Sequence, residues 1–153
     1  MKKVIYLASG RARLSYPNVT YNDCKVKRDL VCDMMDVDLS NFDILIATPP
    51  CNYYSRANSV RETSSYAIST KHLLPEIIDK FIKTGKPFIV ENVRNEPLFK
   101  KLGLYKKDCF IYKHGRHTYW TNVLINMQGG KNVNDVLDYF IQIVSDKFFG
   151  GIL

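Results

Sequence analysis

FDILIATPPCNYYSRAN, residues 42–58, decides how the rest of the chain is read. Its first six residues are an almost unbroken apolar run bounded by turn residues, the pattern of a strand buried on both faces. Pro49 and Pro50 follow and stiffen the chain where that strand ends. Cys51 comes next, and then a polar loop. A nucleophile needs a fixed position and a pocket that takes its proton, so a thiol on a rigid turn at a strand's mouth is placed for chemistry. Cys24, Cys32 and Cys109 lack that setting and read as small apolar fillers.

Working outward, short apolar runs recur at residues 4–8, 19–21, 30–32, 87–93, 108–112 and 118–125, each predicting a strand. Between them, residues 62–84 carry Ile68, Leu73, Leu74, Ile77, Ile78, Phe81 and Ile82 at helical spacing, a core-facing stripe. Pro75 marks either a kink or the start of a second helix, and Gly85 is the expected stop. Residues 95–103 predict a short helix. The tail from Asn132 predicts an amphipathic one, capped by Asn132 or Asn134, with Val133, Val136, Leu137, Phe140, Ile141 and Val144 inward. This alternation predicts an α/β fold, a largely parallel sheet with helices on both faces. Ligands of such sheets bind beyond the carboxyl ends of the strands. Asp23, Asp33, Cys51 and Glu91 all fall at or just past such an end.

Composition narrows the class. The 153 residues predict one domain spanning 1–153, with 46% apolar and 24% charged residues as in ordinary globular proteins. Lys and Arg number 22 against 15 acids, and the net charge of +7 favours an anionic partner such as DNA, RNA or nucleotides. No run approaches the about 20 apolar residues of a membrane span. The opening MKKVIYLAS is too short in its apolar part for a signal-peptide core, so a soluble, cytoplasmic protein is expected. The cysteine spacing fits neither a zinc site nor a disulfide framework. His72, His114 and His117 show no paired ligand pattern, so no metal is expected and the histidines read as surface residues.

Three pieces, TPPCNYYSRAN (residues 48–58), PFIVENVRN (87–95) and GRHTYWTN (115–122), share an order and a strand-end placement with one family. Over residues 42–125 the chain resembles the DNA cytosine carbon-5 methyltransferases, nearest to their short bacteriophage-type members. The resemblance implies a Rossmann-like S-adenosylmethionine (SAM) methyltransferase sheet of reduced size, with DNA as partner and RNA or a free nucleotide as other possible substrates. Cys51 would attack carbon 6 of cytosine, Glu91 would engage nitrogen 3, and Arg116 would help hold the base or adduct. Ser9, Gly10, Asp23, Asp33 and Pro49 would hold SAM; Pro50, Ser55, Asn58, Asn92 and Thr118 would meet the substrate. A target in a duplex would have to leave the stack. If the gene is carried by a phage, the location would be the host cytoplasm.

The chain also differs from that family. Ala8-Ser9-Gly10-Arg11 stands where an aromatic residue and Gly-x-Gly are usual, Asn52 replaces Gln, and Thr118 replaces the second arginine of the basic motif. The link between the first two strands is too short for an ordinary helix, and the residues after 125 offer one helix rather than a target-recognition domain. Base reading would fall to loops, such as residues 52–61 with their Arg and Tyr side chains, or to a partner chain. Two other readings stand beside methylation. One is an inactive relative that binds nucleic acid or a host protein. The other is thymidylate-synthase-type chemistry, which also uses a cysteine after two prolines but usually with His next.

Overall fold

A computed structural model describes residues 1–127 and 132–148, and its centre is a seven-stranded sheet. The strands are β1 (Val4–Leu7), β2 (Val19–Asp23), β3 (Leu30–Val31), β4 (Ile44–Ala47), β5 (Phe88–Val93), β6 (Phe110–His114) and β7 (His117–Thr121). They lie in the order β3-β2-β1-β4-β5-β7-β6. The first five run parallel; β7 is antiparallel to both β5 and β6. Val4, Ile5, Leu7 and all four residues of β4 have no exposed surface, as expected of strands covered on both faces. The order resembles the doubly wound 3-2-1-4-5-6 arrangement with a β6–β7 hairpin at one edge. Strand order reverses between β1 and β4, which is where such sheets open a crevice for ligands.

Helices cover the two faces unequally. On one side lie α1 (Ser65–Thr70), α2 (Leu73–Thr84) and α3 (Glu96–Lys101). Leu74, Ile77, Ile78 and Phe81 of α2 pack on Leu45 and Phe88, and Phe99 of α3 meets Trp120 with ring centroids 5.3 Å apart. On the other side α4 (Val133–Phe148) packs Val136, Leu137, Phe140, Ile141 and Val144 against Val4, Ile44, Ile46 and Ile89.

The boundaries follow local chemistry. The helical segment divides before Pro75, which falls in the first turn of α2, where its missing N–H has no helical acceptor to lose. Gly85 ends α2 in the left-handed conformation (φ 71°) and donates its N–H to the Ile82 carbonyl. Asn132 is the cap of α4: its Oδ1 accepts from Asp135 N at 2.9 Å. The strand expected to reach residue 125 stops at Thr121 because Asn122 replaces the ladder with its side chain, accepting from Phe88 N (3.0 Å) and donating to Lys86 O (2.9 Å). Residues 8–18, between β1 and β2, hold no helix. Among the described residues no helix is long and apolar enough to cross a membrane.

Phe81 has no exposed surface, whereas Phe110 on the sheet edge is 47% exposed. Phe81→Ala is expected to lower unfolding free energy by about 3–5 kcal/mol. Phe110→Ala should stay within about 0.5 kcal/mol of the parent. Urea titrations of the two variants check the contrast.

Candidate active site

Parallel strands deliver their loops to one edge of the sheet, and every buried polar group there needs a partner. Two fully enclosed asparagines supply most of them. Asn22 at the end of β2 accepts from Ala8 N (3.1 Å) and donates to the carbonyls of Leu30 (3.2 Å) and Cys32 (3.1 Å), tying together the ends of β1, β2 and β3. Asn92 in β5 donates to Pro49 O (3.1 Å) and Pro50 O (3.5 Å), so β5 clamps the turn that carries Cys51. Thr48 adds a bond from its hydroxyl to Ala8 O (2.9 Å). Among the described residues Ala8 is the one non-glycine with positive φ (52°), a conformation costing about 1 kcal/mol or more, and these bonds hold it.

The stitched ends enclose a solvent-open cleft of about 600 Å³. Cys51 and Glu91 both line it, as do Gly10, Asp23, Asp33 and the two prolines. The thiol is accessible from solvent, yet the cleft walls withdraw enough water to raise its pKa, and the Glu91 charge raises it further. At neutral pH Cys51 therefore carries its proton.

Glu91 has a partner that the sequence did not suggest. Its Oε2 lies 2.9 Å from Nδ1 of His117, and its side chain is only 13% exposed. Glu91 stands opposite Tyr119 in the β5–β7 ladder, so His117, two residues along β7, is its diagonal neighbour on the same face. The hydrogen bond to Glu91 lifts the His117 pKa; burial opposes this more weakly, and the carboxylate charge assists. Two buried phenols also feel that charge. Burial raises Tyr6 to about 12, against a hydrogen bond with Thr48 and with a smaller push from Glu91. Burial and then Glu91 raise Tyr119 as well. Both phenols stay protonated, and the Tyr119 hydroxyl has no hydrogen-bond partner among the described residues.

The other half of the cleft is acidic. Asp23 takes Gly10 N (3.1 Å) on Oδ1 and the amides of Lys25 and Val26 (2.9 Å each) on Oδ2. Burial opposes its charge, but these amides and the Arg28 guanidinium outweigh burial and hold its carboxyl below the usual range. One lone pair of Oδ1 remains for a hydroxyl donor. Asp33 caps the 3-10 turn Met34–Asp36 through Met35 N (2.8 Å). A Cβ added to Gly10 would meet no atom within 4 Å, so the turn leaves open space beside it. Carboxylates at the ends of β2 and β3 are acceptors that suit the hydroxyl and amine donors of a ligand. Ser9 is enclosed behind the turn and donates to Asn22 O (3.0 Å), supporting the wall without lining the cleft.

Several expected contacts lie elsewhere. Arg116 sits exposed on the β6–β7 turn and lines a second groove of about 640 Å³ with Ser55, Arg56 and Arg94. The basic group beside Glu91 is therefore its neighbour His117, a histidine 36% exposed at the cleft wall. Thr118 is fully buried opposite Asn92 in the ladder and does not reach the cleft. Asn58 spends its amide within the loop, donating to Asn52 O and accepting from Val60 N. Asn92 is likewise committed to the prolines. The loop expected to stack bases turns its aromatic rings inward: Tyr53 and Tyr54 are 6% and 2% exposed, and Tyr54 packs on Phe99. Arg61 pins that loop from within, donating to Tyr53 O (2.7 Å) and Ser55 O (2.8 Å). Among the described residues no three His, Cys, Asp or Glu side chains gather as a metal site.

No protein-family model matches the chain, and no curated protein matches it in sequence.

Glu91→Gln is expected to lower the His117 pKa, read by NMR titration of the imidazole. A folded pKa above the unfolded value near 6.5 stabilises the protein fully below about pH 6.5, and the gain fades as pH rises through the folded pKa. Urea midpoints of the parent should show that fade and those of Glu91→Gln should not. An identical His117 titration in both proteins would show that the two groups are uncoupled.

Proposed function

We propose that the protein is a SAM-dependent methyltransferase acting on carbon 5 of cytosine in DNA. One observation carries the proposal: Cys51 and Glu91 meet in a single cleft at the point where strand order reverses, opposite two acids suited to SAM. The order of the three motifs in the chain agrees with it.

Carbon 5 of cytosine is a poor nucleophile while the ring is aromatic. The Cys51 thiol passes its proton to the Glu91 carboxylate as sulfur attacks carbon 6, and a carbon–sulfur bond forms. Glu91 gives a proton or a hydrogen bond to ring nitrogen 3, which lets electron density collect on carbon 5. His117 donates to Oε2 and leaves Oε1 of the same carboxyl for the ring. When bound, SAM supplies an electrophilic methyl group. A base then removes the carbon-5 proton, the carbon–sulfur bond breaks, and aromaticity returns. Gly10, Asp23, Asp33 and Pro49 orient the donor side of the cleft, and Pro50 shapes the substrate side. The groove of Ser55, Arg56, Arg94 and Arg116, where Glu96 pairs with Arg94, shares Val93 with the cleft and offers the charge of Arg56 and Arg116 to phosphates beside a flipped base.

A second reading keeps the fold as a binding module for nucleic acid or a host protein. The raised Cys51 pKa and the turn through Ala8 in place of a glycine favour it.

Incubation with a 5-fluorocytosine oligonucleotide and SAM is expected to yield a covalent complex on a denaturing gel, absent in Cys51→Ser. Calorimetry should show SAM binding that Asp23→Asn weakens about tenfold, the loss of one charge-assisted hydrogen bond. SAM binding without any adduct or methyl transfer would leave the binding module in place of the enzyme.

A further inference from the structure

With no helix between β1 and β2, the end of β2 on the α4 side is covered by loop alone. Beside it lies a trough of about 550 Å³ that shares no lining residue with the cleft. Its charged walls are Arg13, Lys27, Arg28 and Asp29. The Arg28 guanidinium lies 4.0 Å from the centroid of the Tyr21 ring, and that of Arg13 lies 5.8 Å from the same ring. Arg28 donates through Nη1 to Gly10 O (2.9 Å), while its Nη2 is buried without a hydrogen-bond partner.

Positive charge is in excess here, three cations against Asp29 on the trough wall. Among the described residues none of Arg13, Lys27 and Arg28 forms an ion pair with a carboxylate. Asp29 is the one acid on the trough wall, and its Oδ2 is engaged by Tyr21 N at 2.9 Å. Asp23, whose charge Arg28 also feels, lines the cleft rather than the trough. Two guanidiniums over one ring repel each other, and a buried N–H without an acceptor is costly. An anion bound in the trough offsets the repulsion between the guanidiniums.

We infer that this trough binds the phosphate backbone of a nucleic acid. Planar guanidinium forks match phosphate oxygens in pairs. The Tyr21 ring is already occupied by arginine, so the trough presents charge without this aromatic surface for a base, which selects backbone over sequence. The overall charge of +7 draws the same partner. This inference stands apart from methylation, because the trough and the cleft share no residue.

The test is anisotropy of a labelled dA·dT duplex, which carries no cytosine, across a salt series. Arg13 and Lys27 are exposed and lie outside the cleft. Arg13→Ala/Lys27→Ala should flatten the plot of log affinity against log salt by about 1.8, two phosphate contacts at about 0.9 each, and weaken binding about tenfold near 0.1 M salt. Lys100→Ala/Lys101→Ala on α3 removes the same charge far from the trough and should change the slope much less. Circular dichroism and urea midpoints confirm that both variants fold. Equal effects from the two doubles, or no duplex binding by the parent at low salt, would overturn the inference. Displacement of the duplex by micromolar pyrophosphate from the parent alone would overturn the backbone assignment in favour of a free phosphate ligand.

Discussion

Two buried amides hold the candidate site together. Prolines 49 and 50 present carbonyls but no N–H, so a turn built from them cannot satisfy itself. Asn92 satisfies those carbonyls from the neighbouring strand, and Asn22 does the same for the loops after β1 and β3. An enclosed amide that loses such partners costs about 1–3 kcal/mol, enough to matter in a fold stabilised by about 5–15 kcal/mol. The same bonds set the Cys51 turn, keep Ala8 left-handed and leave the cleft between them. Stability and site geometry thus rest on the same few atoms.

Glu91 connects that geometry to chemistry. It is mostly buried, it bonds His117, and its charge reaches Cys51, Tyr6 and Tyr119. A carboxylate in such a position resists company of its own sign. The thiol therefore stays protonated and the phenols stay neutral, while the imidazole is drawn toward its cationic form. The β6–β7 hairpin matters to the cleft chiefly because it brings His117 there.

The unequal covering of the sheet has a second consequence. Three helices seal one face and α4 seals most of the other, but the short β1–β2 link leaves one end of that face to loops. Arg13 and Arg28 lie over Tyr21 there, Arg13 exposed and Arg28 half-buried.

Much of this was legible in the chain. Apolar runs and helical stripes are local signals, set by the two-residue and 3.6-residue repeats of the backbone, so the alternating elements, the Gly85 stop and the absent first crossover helix could all be read. Strand ends were legible too, which is why Cys51, Glu91, Asp23 and Asp33 could be named in advance as neighbours. Pairing register was not. Arg116 and His117 are adjacent in sequence, and only the ladder with β5 decides that the histidine meets Glu91 while the arginine faces another groove. Tyr53 and Tyr54 look like surface residues of a polar loop until Phe99, distant in sequence, offers Tyr54 an apolar wall and Tyr54 in turn receives Tyr53. Asn22 carries no local mark, and Asn92, expected to meet the substrate, gave no sign that it would clamp the two prolines, because a buried amide is defined by the loops it satisfies. The sequence by itself determined which segments become strands and helices and which reactive groups stand at their ends. Only the tertiary structure decided which of those groups touch, since contact depends on register and on loops brought together from far apart in the chain.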